Sequence, residues 1–147
     1  MPQHTVTLDI GRPVAELFAY LSRPTNLVKL APPELNLELV IAPEVLALGE
    51  RLVWTGRRWG ISQKIIQEVS VFEVEKRIEV VQKQGPFAHW IHGSQFNAID
   101  AGTRIVETID FAPPGGILGR LISADAIRKD IDKLVAHREK KLREIFG

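Results

Sequence analysis

A long amphipathic helix placed after an unbroken run of strands constrains this chain more than any other feature. After Pro113-Pro114-Gly115-Gly116 the pattern turns helical and stays so to the end. Ile127, Ile131, Leu134, Val135, Leu142 and Ile145 form one apolar stripe, with Lys and Arg elsewhere on the helix. Ser123 or Asp125 suits its N-cap. Such a helix has one apolar face and needs one apolar surface to cover it.

The preceding residues supply that surface. Val6, Leu8 and Ile10 alternate with Thr5, Thr7 and Asp9, which predicts a half-buried strand. Pro13 suits the first turn of a helix, and Val14, Leu17, Phe18 and Leu21 recur at helical spacing. Pro24 starts a second short helix, which Pro32-Pro33 stops. Strands are then predicted over 35–41, 51–59, 61–72, 77–84, 88–99 and 103–111. Short connections between successive strands imply an antiparallel meander. The expected architecture is α+β: a curved seven-stranded antiparallel sheet wrapped around the long C-terminal helix. Two short helices follow the first strand, and residues 1–147 form one domain. A cavity is expected wherever the sheet curves away from the helix.

Composition narrows the function classes. The chain contains no cysteine, so disulfides and thiolate metal sites are ruled out. A net charge of +1 gives no global field to attract nucleic acid, and none is expected as a partner. No apolar stretch approaches the length that spans a bilayer, so no integral membrane association is expected. The opening residues MPQHTVTLDI lack the basic and apolar regions of a secretory signal, and the expected location is the cytoplasm. On the last helix, Arg128, Lys129, Lys133, Lys140, Lys141 and Arg143 interleave with Asp130, Asp132, Glu139 and Glu144. Mixed signs at this spacing read as a solvated face.

The segment Gln84 to Phe96, QGPFAHWIHGSQF, carries the strongest sign of a site. Trp90, His92, Ser94 and Phe96 fall on one strand face, because side chains alternate. Two large aromatics with a histidine and a serine resemble the wall of a pocket. A turn at Asp100-Ala101-Gly102-Thr103 pairs this strand with the next in a register where residue numbers sum to about 203. His92 then faces Phe111, Ser94 faces Ile109, and Phe96 faces Glu107. Ile105, Ile109 and Phe111 share that face, which marks it as the inner one and places Glu107 inside. A buried carboxylate needs a partner. Arg138 lies on the helix stripe one turn after Leu134, where it can reach Glu107 or a ligand carboxylate. The plainer alternative has Arg138 at the stripe's edge, extending to water.

Histidine as a residue type suits proton transfer near neutral pH, so His92 is a weak candidate acid/base, with no second catalytic group fixed beside it. His89 and His92 point to opposite faces, so no metal site is expected. Ser94 sits within a strand and lacks the elbow of a nucleophile. Trp54 shares a face with Leu52, and Gln63, Gln67 and Gln82 are candidate polar lining. Gly115, Gly116 and Gly119 loosen a segment whose Ile117, Leu118, Leu121 and Ile122 could cover the cavity mouth; a plain connector is the alternative.

Several motifs in order carry a resemblance: Asn26-Leu27, Leu30-Ala31-Pro32-Pro33, Gln82 with Gly85-Pro86-Phe87, then Trp90, His92 and Phe96. Gly102-Thr103 and the run from Pro114 to Arg120 complete it. The chain resembles the START / polyketide cyclase-dehydrase (SRPBCC, helix-grip) superfamily, in its bacterial cyclase/dehydrase-like branch. That branch often has a second histidine where this chain has Ser94, and an aspartate where it has Val80. The resemblance implies binding, or transport, of a small hydrophobic or amphipathic ligand of lipid, polyketide or aromatic type, with no cofactor. Trp54, Trp90, Phe96 and Phe111 would give apolar contact, and Gln82, His92, Glu107 and Arg138 would fix a polar end. Two alternatives share the fold. One is a polyketide cyclase or dehydratase using His92 as acid/base. The other is a protein-interaction module of the heat-shock-ATPase-activator type, with a filled core.

Overall fold

The computed structural model describes residues 2–146. Seven strands form one antiparallel sheet in the order β1-β7-β6-β5-β4-β3-β2. They are β1 (Gln3–Ile10), β2 (Glu38–Ile41), β3 (Arg51–Arg58), β4 (Ile61–Glu73), β5 (Arg77–Gln84), β6 (His89–Ile99) and β7 (Gly102–Ala112). Between β1 and β2 the chain crosses the sheet through α1 (Val14–Leu21) and α2 (Pro24–Leu30). After β7 come α3 (Gly116–Leu121) and α4 (Ala124–Phe146). This is the α+β helix-grip arrangement expected from the alternation of the strands and the stripe of the last helix.

The faces follow the parity of the sequence. On β7, Thr103, Ile105, Glu107, Ile109 and Phe111 are all buried while their neighbours are not. On α4, Ile127, Ile131, Val135 and Leu142 are buried against the sheet. At about 25 cal/mol per Å² of apolar surface removed from water, this shared face is the main source of stability. Ser123 caps α4, as expected: its Oγ accepts from the Ala126 N–H at 3.1 Å. Asp125, the other candidate, pairs instead with Arg128 within the first turn.

The sheet curls because its strands do not match residue for residue. Between β4 and β5 the register shifts at Ile66/Gln67 and again at Val69/Val71. Each bulge bends the strand and sharpens its twist. A long β4 can therefore wrap, opening space under its first half. No described helix is long and apolar enough to cross a membrane.

Two expectations need correction. The strand predicted over 35–41 begins only at Glu38, because Pro33–Leu35 forms a 3-10 turn closed by Asn36 at φ 45. This irregular passage lets Leu35 and Leu37 turn inward. Gly56 on β3 makes room for the second: a Cβ there would lie 2.6 Å from Leu37 Cδ2. The β6–β7 register is also displaced by two from the expected one. The loop is the two-residue Asp100-Ala101, so Ile99 pairs with Gly102 and Ser94 with Glu107, while His92 faces Ile109 and Phe96 faces Ile105. Two-residue hairpin loops suit the twist of the strands. A shift of two keeps every side chain on its face.

Candidate functional site

Between α4, the inner faces of β3 to β6 and the passage from α2 to Leu37 lies a cavity of about 220 Å³. Of the residues singled out from sequence, Trp54, Gln82, Trp90, His92 and Arg138 line it. So do Gln63 and Gln67. The other three expected contacts lie elsewhere. Phe96 packs edge-on against Phe18 (5.2 Å), which in turn meets Phe72 (5.4 Å), and so ties α1 to the sheet. Phe111 is wholly buried, with the Arg128 guanidinium 5.8 Å from its ring. Glu107 sits behind the cavity wall. The inner face of the sheet is longer than the cavity it encloses, so parity alone could not separate these positions.

Glu107 is the electrostatic centre of the wall. Its side chain is inaccessible to solvent. Oε1 accepts from Arg138 Nη1 at 2.8 Å, and Oε2 accepts from Ser94 Oγ at 2.7 Å. Oε2 is also hydrogen-bonded to His92 Nε2. The corrected register explains the set, since Ser94 lies directly opposite Glu107 and His92 is two residues away on the same face. Arg138 thus pairs with the carboxylate, resolving the choice between reaching inward and extending to water. Burial pushes the Glu107 carboxyl up, but Arg138, then His92 and Ser94, outweigh it and hold the pKa at about 2. An ionised carboxylate only accepts, so the proton on the shared bond belongs to His92 Nε2. Nδ1 makes no hydrogen bond among the described residues.

His92 therefore does have a fixed polar neighbour, contrary to the expectation from sequence. Val80 stands directly across from His92 on β5, so no carboxylate approaches it from that strand.

Gln82 lines the cavity with its amide committed to the backbone. Its amide Nε2 donates to the Phe87 carbonyl at 2.7 Å, and its Oε1 accepts the Phe87 N–H at 3.4 Å. The side chain closes the Gly85-Pro86-Phe87 turn. A Cβ at Gly85 would fall 2.5 Å from Gln82 Oε1, so a larger residue there would push the amide away from Phe87. The turn places Phe87 flat against Trp90, ring centres 4.3 Å apart, and edge-on to Trp59 at 5.4 Å. Trp54 is likewise aimed by a glutamine: its Nε1 donates to Gln67 Oε1 at 3.0 Å. An aromatic wall held by two amides faces a polar end whose charges are matched.

Sequence reading missed Phe87 as a lining residue, although its turn motif was noted. Arg58 was missed as well. It shares strand parity with Leu52 and Trp54, and that parity was the available signal. The segment from Ile117 to Ile122 does not border the cavity; Ile117 and Leu121 are each 77% exposed. Among the described residues, no group of three or more His, Asp or Glu side chains is gathered to hold a metal.

Comparison with known proteins places this geometry. No curated protein matches the sequence. Among solved structures, TTHA0849 from Thermus thermophilus superposes with a TM-score of 0.73 at 19% identity, covering 99% of this chain and 100% of its own. Ms6760 from Mycobacterium smegmatis gives 0.71 at 15% identity, with 99% and 90% covered. A protein from Arthrobacter aurescens gives 0.74 at 10% identity, with 97% and 86% covered. These likenesses establish the shared fold. The family model described as polyketide cyclase / dehydrase and lipid transport matches residues 1–144, and the chain belongs to that family.

Proposed function

We propose that the protein binds one small, largely apolar molecule in this cavity and carries it, rather than transforming it. The observation that supports this reading best is the cavity itself, walled by Trp54, Phe87 and Trp90 and closed by α4. A pocket of this kind gains affinity from apolar area and orientation from a few polar groups. At its polar end Glu107 already accepts from three side chains, which favours a structural anchor over a group awaiting a proton. A ligand of lipid, polyketide or aromatic type agrees with the family description.

Native mass spectrometry of the protein isolated from its own cells tests the reading. One co-purifying molecule per chain, released on denaturation and apolar in character, is expected. A chain that stays bare even after incubation with a hydrophobic extract of those cells would contradict it.

A further inference from the structure

We propose that Arg58 recognises an anionic oxygen-bearing end of the bound molecule, a carboxylate or a phosphate, at the mouth of the cavity. The inference rests on the carrier reading above and gives its ligand a charge.

Arg58 is the last residue of β3 and lies on the inner face with Leu52, Trp54 and Gly56. Its guanidinium carbon sits 5.1 Å from the centre of the Phe87 ring and 5.6 Å from that of Trp59. Stacking on aromatic faces is a favoured setting for arginine and leaves its N–H edge free. Among the described residues it makes no hydrogen bond or salt bridge. Burial disfavours its charge, and Asp130 on α4 only partly compensates. The contrast with Arg138 is direct, since that guanidinium is already committed to Glu107. Three arginines border the cavity: Arg138 is committed to Glu107 and Arg57 is exposed on the opposite parity of β3, so Arg58 is the inner-face one available to a ligand.

The backbone that delivers Arg58 is unusual. The β3–β4 loop is Trp59-Gly60, both with positive φ, 52 and 76. Glycine accepts that conformation, whereas a bulky aromatic rarely does. Trp59 holds it with its ring edge-on to Phe87. Strained turns of this kind cluster at ligand clamps. Here the strained residue is one of the two rings that hold the cation in place. A guanidinium fork matches a carboxylate or phosphate through paired, charge-assisted hydrogen bonds. The apolar body of such a molecule would lie along Trp54 and Trp90.

The test uses two fluorescent probes that differ by one charge. N-phenyl-1-naphthylamine is neutral, and 8-anilinonaphthalene-1-sulfonate carries an anionic sulfonate. Wild type should bind the anionic probe roughly tenfold to a hundredfold more tightly than the neutral one. Arg58→Gln should lose that preference and bind the two probes with similar affinity, with its fold checked separately by circular dichroism against wild type. Displacement of the neutral probe by octanoate, octyl phosphate and 1-octanol then tells carboxylate from phosphate, with the alcohol weakest. If both probes bind wild type equally, or the preference survives in Arg58→Gln, the Arg58 assignment is wrong and the carrier reading stands. If neither probe binds wild type, both fail.

Discussion

Replacing Arg138 with leucine is expected to lower the free energy of unfolding by about 3–5 kcal/mol. The reason lies in Glu107, whose side chain is fully shielded from solvent. Removing the guanidinium leaves that carboxylate with His92 and Ser94 alone. An uncompensated buried charge is costly even where the intact pair adds little, because desolvation offsets most of the attraction. Leucine at both Arg138 and Glu107 should therefore recover most of the loss. Urea unfolding of the two single variants and the double variant measures this cycle directly. A single Arg138→Leu within about 1 kcal/mol of wild type would mean that the ion pair does not organise the wall.

The same network sets an acid limit. The Glu107 pKa falls from 4.5 in the unfolded chain to about 2 in the fold. A depressed carboxyl stabilises the fold fully above the unfolded value and ceases to do so as pH falls through the folded value. At 1.36 kcal/mol per unit, the contribution lost between pH 4.5 and about 2 is on the order of 3 kcal/mol. Unfolding free energy followed over that window should fall more steeply for wild type than for Glu107→Gln. Matching slopes would contradict the assignment.

Much of the architecture was legible because it depends on alternation and little else. The inner face of β7 follows from Ile105, Ile109 and Phe111, and Glu107 could be placed inside by parity without knowing its neighbours. Its partners could not be identified, since they depend on a register that one loop decides. The Asp100-Ala101 turn is two residues long, and that shift brought Ser94 opposite Glu107 and His92 within reach. Phe96 and Phe111 were placed on the correct face but lie beyond the cavity, because the point where the sheet parts from the helix is set by bulges in β4 and β5. Residues 35–37 read as strand, since Leu35 and Leu37 alternate, yet the prolines before them and Asn36 at φ 45 turn them into lining. Arg58 escaped notice because arginine at a strand end ordinarily faces water.

The carrier reading and its two rivals make different demands on these features. A cyclase or dehydratase would use His92 as acid/base and would lose turnover in His92→Gln. A heat-shock-ATPase-activator-like module would have no use for an open space of about 220 Å³. The cavity is the central claim, and filling it should abolish binding while sparing the fold. Ala31 follows the last turn of α2 and borders the space, and Val80 borders it from β5. Larger side chains at either position project into the void, at a cost in stability of about 1–3 kcal/mol that thermal unfolding will register. The decisive measurement is a fluorescence titration of wild type, Ala31→Trp and Val80→Phe with N-phenyl-1-naphthylamine. Wild type should saturate at one probe per chain, and the folded filled variants should bind about a hundredfold more weakly. Equal binding by all three, or none by wild type, would contradict the account.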